Sequence, residues 1–138
     1  MGDQLEFHPS NLTRSQFDRL SECALGAETI SPHDLLAAAE HHLERTRAAH
    51  AANRLINVRL ASAIVGVLEE LVGTWGSMES NQAWWLRGAM DYFATSNDDE
   101  PDFQSPLGFE DDAEILNACL KFIGRNDLCL NAEDYDNA

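Results

Sequence analysis

Ile56, Leu60, Ile64, Leu68, Leu71 and Trp75 recur at intervals of three and four, the spacing of one face of an α-helix. Ala61, Val65, Val67 and Val72 widen that stripe, so the stretch from about Ala51 to Val72 is predicted to be the central, most buried helix. A chain built round such a helix needs other helices to cover it, and the sequence supplies them. Phe17, Leu20, Ala24 and Leu25 repeat at helical spacing over about residues 13 to 24, with Gly26 as the expected stop. Ser31-Pro32-His33-Asp34 opens a second helix: Ser caps, Pro occupies the first helical position and Asp faces the positive end of the dipole. Its apolar face runs through Leu35, Leu36, Ala39, Leu43 and Thr46 to about Ala49. A break near His50 is expected, because an uninterrupted helix from Pro32 to Val72 would be too long for a compact domain.

Gly73, Gly76 and Ser77 mark a turn, after which Ser80 is the expected cap of a helix from about Asn81 to Ala94. A last helix covers about Asp111 to Phe122, with Gly124 as its terminator. No strand alternation and no internal repeat is present. The predicted fold is all-α: a compact single-domain array of four or five helices with an acidic loop between the last two. Residues 1–12 form an N-terminal extension, 13–124 the helical domain and 125–138 a polar C-terminal tail. At 138 residues one domain suffices, and it buries roughly 68–70% of its unfolded surface without staples.

Charge limits the company this chain keeps. It has 24 acidic residues against 9 basic ones, a formal charge of −15. That field repels phosphate backbones and anionic lipid surfaces, so no nucleic acid is expected, and a protein with a basic face is the favoured partner. Cys23, Cys119 and Cys129 are odd in number and far apart, which suits a reducing compartment. The start Met1-Gly2-Asp3-Gln4-Leu5-Glu6 lacks a basic, then apolar, signal pattern, and no apolar run approaches the ~20 residues of a membrane span. A cytoplasmic protein is expected.

From Gly88 to Leu120 there is no Lys or Arg, while nine acids fall in the interval. Within it lie Tyr92-Phe93, then Asp98, Pro101-Asp102-Phe103, Leu107-Gly108-Phe109 and Asp111-Asp112. This run resembles the signature of the YkvA-like family, also called DUF1232, over about residues 86–123. The resemblance implies a helical fold and no activity, because the family has none established. Asn97, Asp99, Glu100 and Gln104 stand where the family is apolar, and Ser96 and Ser105 where it carries prolines. A hairpin able to sit near lipid is therefore not implied.

Two readings of the acids remain open. In the first they are architectural: Asp111 and Asp112 suit a helix start, Asp102 bonds its own turn, and Gly108 supplies a positive backbone angle. In the second, Asp98, Asp102, Asp111 and Asp112 hold a hard cation, Mg²⁺ or Ca²⁺, which prefer oxygen ligands. An EF-hand is excluded, since Phe103 stands where Gly is needed and Phe109 where the twelfth-position Glu belongs. His41 and His42 are adjacent, point about 100° apart on a helix, lack the His-Glu-x-x-His spacing and are expected at the surface. Gly124 to Cys129 lacks the further cysteines of a zinc site. Trp84 and Trp85 cannot both face the core, so one is expected inside and the other is a candidate partner contact. Arg45, Arg47, Arg54 and Arg59 are the basic concentration available to pair with the acidic loop.

No nucleophile–base constellation and no phosphate-cradling loop is present. The reading is a non-enzymatic interaction or scaffolding domain with an acidic surface. The alternative is a divalent-cation-binding protein, extending to a metal-dependent hydrolase, that uses the Asp98–Asp112 carboxylates.

Overall fold

Thr13 and Gln16 set where the first helix begins. The Thr13 hydroxyl accepts from the Gln16 amide at 3.0 Å, and the Gln16 side chain accepts from the Thr13 amide at 3.0 Å, so two orphan donors are satisfied reciprocally. The computed structural model describes residues 8–52, 57–95 and 109–135. Helix α1, Arg14–Ala27, passes through Gly26 and closes at Glu28, so Gly26 is not the stop that the sequence suggests. Helix α2, Pro32–Ala52, starts as predicted, with Ser31 Oγ accepting from the Asp34 amide at 3.1 Å. Helix α3, Val58–Gly73, is capped by Asn57, whose side-chain oxygen accepts from the Leu60 amide at 3.1 Å. The expected break near His50 is thus present: Asn57 is non-helical and opens a separate helix. Ile56 and Arg54 lie outside the described residues.

A 3-10 turn, Trp75–Ser77, leads into α4, Ser80–Thr95. Ser80 is helical and does not cap; Glu79 precedes the helix, and its amide donates to the Gln82 side chain at 3.0 Å. Helix α5, Glu110–Phe122, ends in a Schellman turn. Gly124 takes φ +81°, its amide donates to the Lys121 carbonyl at 3.2 Å, and the Arg125 amide reaches the Leu120 carbonyl at 2.8 Å. All five helices pack together, and no strand occurs among the described residues.

Helix α4 is the hub, packed against α1, α2 and α5, while α2 also packs along α3. The predicted stripe of α3 is buried through Leu60, Ile64, Leu68 and Leu71, which meet Leu20, Leu86, Met90, Phe93, Phe109, Ile115 and Leu116 in the core. Each such side chain stabilises by about 1.5–3 kcal/mol relative to exposure. Helices α1 and α4 approach closely at Gly88, against Ala24 and Leu20.

Two parts of the chain differ from expectation. His42 was placed at the surface by the sequence, yet it is 1% exposed, edge-on to Phe93 at 4.9 Å and to Phe109 at 6.0 Å. It occupies the i+3 position from Ala39 on the buried face of α2, and only His41 is exposed. The segment after Gly124 is polar in composition but does not trail away. It forms 3-10 turns at Asn126–Leu128 and Ala132–Tyr135, and Leu128, Cys129, Leu130 and Tyr135 pack on the core. Asn117 of α5 holds it, donating to the Leu130 carbonyl at 2.7 Å and accepting from the Leu130 amide at 2.8 Å.

Candidate interaction surfaces

Of the four acidic residues expected to form one loop site, the described residues include Asp111 and Asp112. Asp98 and Asp102, with Pro101, Phe103, Leu107 and Gly108 of the family-like signature, lie outside the described residues. Tyr92, Phe93, Phe109, Asp111 and Asp112 lie within them. Asp111 and Asp112 occupy the first turn of α5, where the helix dipole favours negative charge. Phe109 is the N-cap and offers no side-chain bond. Successive helix positions diverge, so Asp111 is exposed and Asp112 is 4% exposed. Asp111 and Glu114 both accept from the Gln16 side-chain amide, at 3.2 and 2.9 Å, which ties α5 to the start of α1. Among the described residues, no group of three or more His, Cys, Asp or Glu side chains is placed to hold a metal ion.

Behind Asp112 the α1–α4 seam holds Tyr92 and Cys23. Burial pushes the Tyr92 phenol up to about 12, helped by the Asp112 and Asp111 charges, while the Arg19 guanidinium, 5.3 Å over the ring, opposes the shift. Burial and the Asp91 carboxylate, both by its charge and as hydrogen-bond acceptor, push the Cys23 thiol up to about 12. Burial also raises Cys119 and Cys129. All three thiols therefore stay protonated at neutral pH, the wrong state for a nucleophile.

Two open grooves carry more chemistry. The first, roughly 650 Å³, runs between α2 and α3 and is lined by Glu40, His41, Glu44, Arg47, Ser62 and Glu69. Glu40 and Glu69, on different helices, both line it, and the Glu69 carboxylate, as a hydrogen-bonding neighbour and by its charge, holds the Glu40 carboxyl above its ordinary value. Arg47 pairs with Glu44 on its own helix at 2.6 Å. The second groove, roughly 570 Å³, lies where the α1–α2 turn, the Trp75–Ser77 turn and α4 meet. Glu28, Thr29, Trp75, Met78, Trp84 and Arg87 line it.

The tryptophan pair divides as predicted. Trp85 is buried against Phe17, with ring centroids 5.5 Å apart, and Trp84 is half-buried on the groove wall. The Trp84 indole N–H donates to the Glu28 carboxylate at 3.2 Å, and its ring meets Trp85 edge-on at 4.8 Å. Arg87 donates from Nε to the Ile30 carbonyl at 3.0 Å and stands 5.5 Å over Trp75. Glu28 and Glu69 are not marked by any local pattern in the sequence, and Trp75 is marked only as the end of an apolar stripe. The Glu40–Glu69 meeting depends on the register of α2 against α3, which no local pattern carries. Trp75 read as the end of the α3 stripe until the turn lifted it away.

Among the described residues, no helix is long and apolar enough to cross a membrane. No family model, no curated protein and no solved structure matches this chain.

Proposed function

We propose that this chain is a non-enzymatic helical interaction domain that receives a partner with a basic face. The observation that supports the reading is the Glu40–Glu69 pair: two neighbouring carboxylates from separate helices lining one groove, with Glu44 in the same lining. Two close carboxylates repel unless a proton or another cation stands between them, so a Lys or Arg side chain arriving there replaces a proton with a fixed charge. The formal charge of −15 adds long-range attraction for the same partners. Thiols held protonated remove one class of catalytic nucleophile and leave binding as the simpler use of this surface.

The test is fluorescence anisotropy with a labelled ten-residue peptide of alternating Arg and Lys separated by Ser, against an equal peptide of Glu and Ser. Binding of the basic peptide alone is expected. It weakens steeply with added NaCl, because exposed pairs are screened, and weakens again in the Glu40→Gln/Glu69→Gln double variant. Equal binding of both peptides, or of neither, would overturn the proposal.

A further inference from the structure

The groove beside Trp84 has a chemistry that the acidic surface alone does not explain. An indole face attracts a cation held within about 6 Å of its centroid, and tryptophan does so best of the aromatic residues. Trp75 already shows this use, with Arg87 at 5.5 Å over its ring. Arg87 is fixed there by its bond to the Ile30 carbonyl. Trp84 has no such internal cation in the described contacts; its N–H is polarised by the Glu28 carboxylate at 3.2 Å instead. Donation to a carboxylate draws electron density into the indole ring and strengthens its attraction for positive charge. Glu28 is exposed, and a carboxylate accepting one hydrogen bond keeps lone pairs for more.

Around this pair the surface suits a long cationic side chain. The Met78 thioether lines the same groove and offers a polarisable wall. Leu25, one turn before Glu28 on α1, is 63% exposed, the large hydrophobic that stays outside among the described residues. Residues three apart share a helix face, so Leu25 lies on the same side of α1 as Glu28. The Glu28 carboxylate shares this groove with one guanidinium, Arg87, that is already engaged by the Ile30 carbonyl. A second copy of the chain is a poor occupant, since each copy brings a charge of −15.

We infer that the Trp75–Trp84 groove is a seat for one arginine or lysine side chain of a basic partner, with Trp84 stacking on the cation and Glu28 pairing with it. This rests on the reading above for the partner's basic character and adds where that partner is anchored. Trp75 and Trp84 both line the groove while Trp85 is buried, so tryptophan emission reports on occupancy.

The experiment follows tryptophan emission and peptide anisotropy together, with the Arg/Lys peptide, on the full chain and on Glu28→Gln and Trp84→Phe. Glu28→Gln is isosteric and at an exposed position, and circular dichroism melts check that both variants fold. The wild type is expected to change its emission on binding, and each variant to bind about two- to fivefold more weakly, as a surface cation–π contact implies. If the peptide binds all three proteins equally with unchanged emission, the seat is overturned while the acidic interaction surface stands. If the peptide binds none of them, both fall. Self-association of the wild type in sedimentation, abolished by Trp84→Phe, would assign the groove to a second copy and overturn the cation seat.

Discussion

Gly88 lies so near Ala24 that a β-carbon at position 88 would stand 2.8 Å from Ala24 Cβ and 3.0 Å from the Ala24 nitrogen and the Leu20 oxygen. A glycine in mid-helix costs about 1 kcal/mol against alanine, so α4 keeps it against its own propensity. Close backbone approach is what it gains. Gly88→Ala is expected to destabilise by about 1–3 kcal/mol, the range for overpacking, because two of the three contacts are backbone and α1 must shift to relieve them. Chemical denaturation measures it. Adding Ala24→Gly removes the nearest contact and should recover part of the loss; a purely additive double variant would mean that the two helices do not collide there.

The C-terminal segment is held by one side chain. Asn117 makes both hydrogen bonds to Leu130, and Cys129 leans its thiol on the Asn117 carbonyl at 3.8 Å. Asn117→Ala is expected to cost about 1–3 kcal/mol, two hydrogen bonds at typical net worth. The loss should be local: amide exchange at Leu130 accelerates well before exchange in α3 does. Unchanged protection at Leu130 would show that Leu128 and Tyr135 packing holds the segment without the asparagine.

Much of this architecture was readable in the chain. The α3 stripe, the Ser31-Pro32 start and the Gly124 terminator are local signals, and each sits where local physics puts it. The Thr13–Gln16 capping box has the T-x-x-Q pattern of a helix start but is not among the start signals expected from the sequence. What stayed hidden depends on tertiary arrangement. His42 reads as a surface neighbour of His41, and the packing of α2 against Phe93 and Phe109 buries it. The composition of residues 125–135 is polar, yet Leu128, Leu130 and Tyr135 recur often enough to dock once Asn117 supplies an anchor. Of the site residues, the division of Trp84 from Trp85 followed from helix geometry. The pairing of Trp84 with Glu28, 56 residues away, did not.

Alkaline pH should loosen the α1–α4 seam. The thiol of Cys23 rises from 9.0 to about 12 and the phenol of Tyr92 from 10.0 to about 12, so the folded state favours both protonated forms. Below about pH 9 both groups are protonated whether folded or not, and their contribution is fully present. As pH rises from there toward 12 the unfolded chain releases its protons first, and stability falls. The melting temperature is expected to decline across that window. Tyr92→Phe keeps a ring under Arg19 and removes one ionising group, so its decline should be shallower. Parallel declines for wild type and variant would place the alkaline transition elsewhere.

The Glu40–Glu69 contact makes a demand of the same sign on pH, in an acid window. Its proton is bound more tightly in the folded chain than the ordinary 4.5 implies, so the pair's contribution is present at low pH and is lost as pH rises through the raised value. At neutral pH the two carboxylates repel, and α2 and α3 are held together by Leu43, Leu60, Ile64 and Leu68 despite them. Glu69→Lys puts an ammonium opposite Glu40 and should raise the neutral-pH melting temperature. The gain should vanish in about 0.5 M NaCl, where screening lengths fall to a few ångströms, and should shrink as acid protonates Glu40. The same variant should bind the Arg/Lys peptide less well than wild type, because it fills the groove with the charge that the partner was to bring. A variant both more stable and equally able to bind would show that the pair is a structural defect of the α2–α3 seam and not the surface the partner reads.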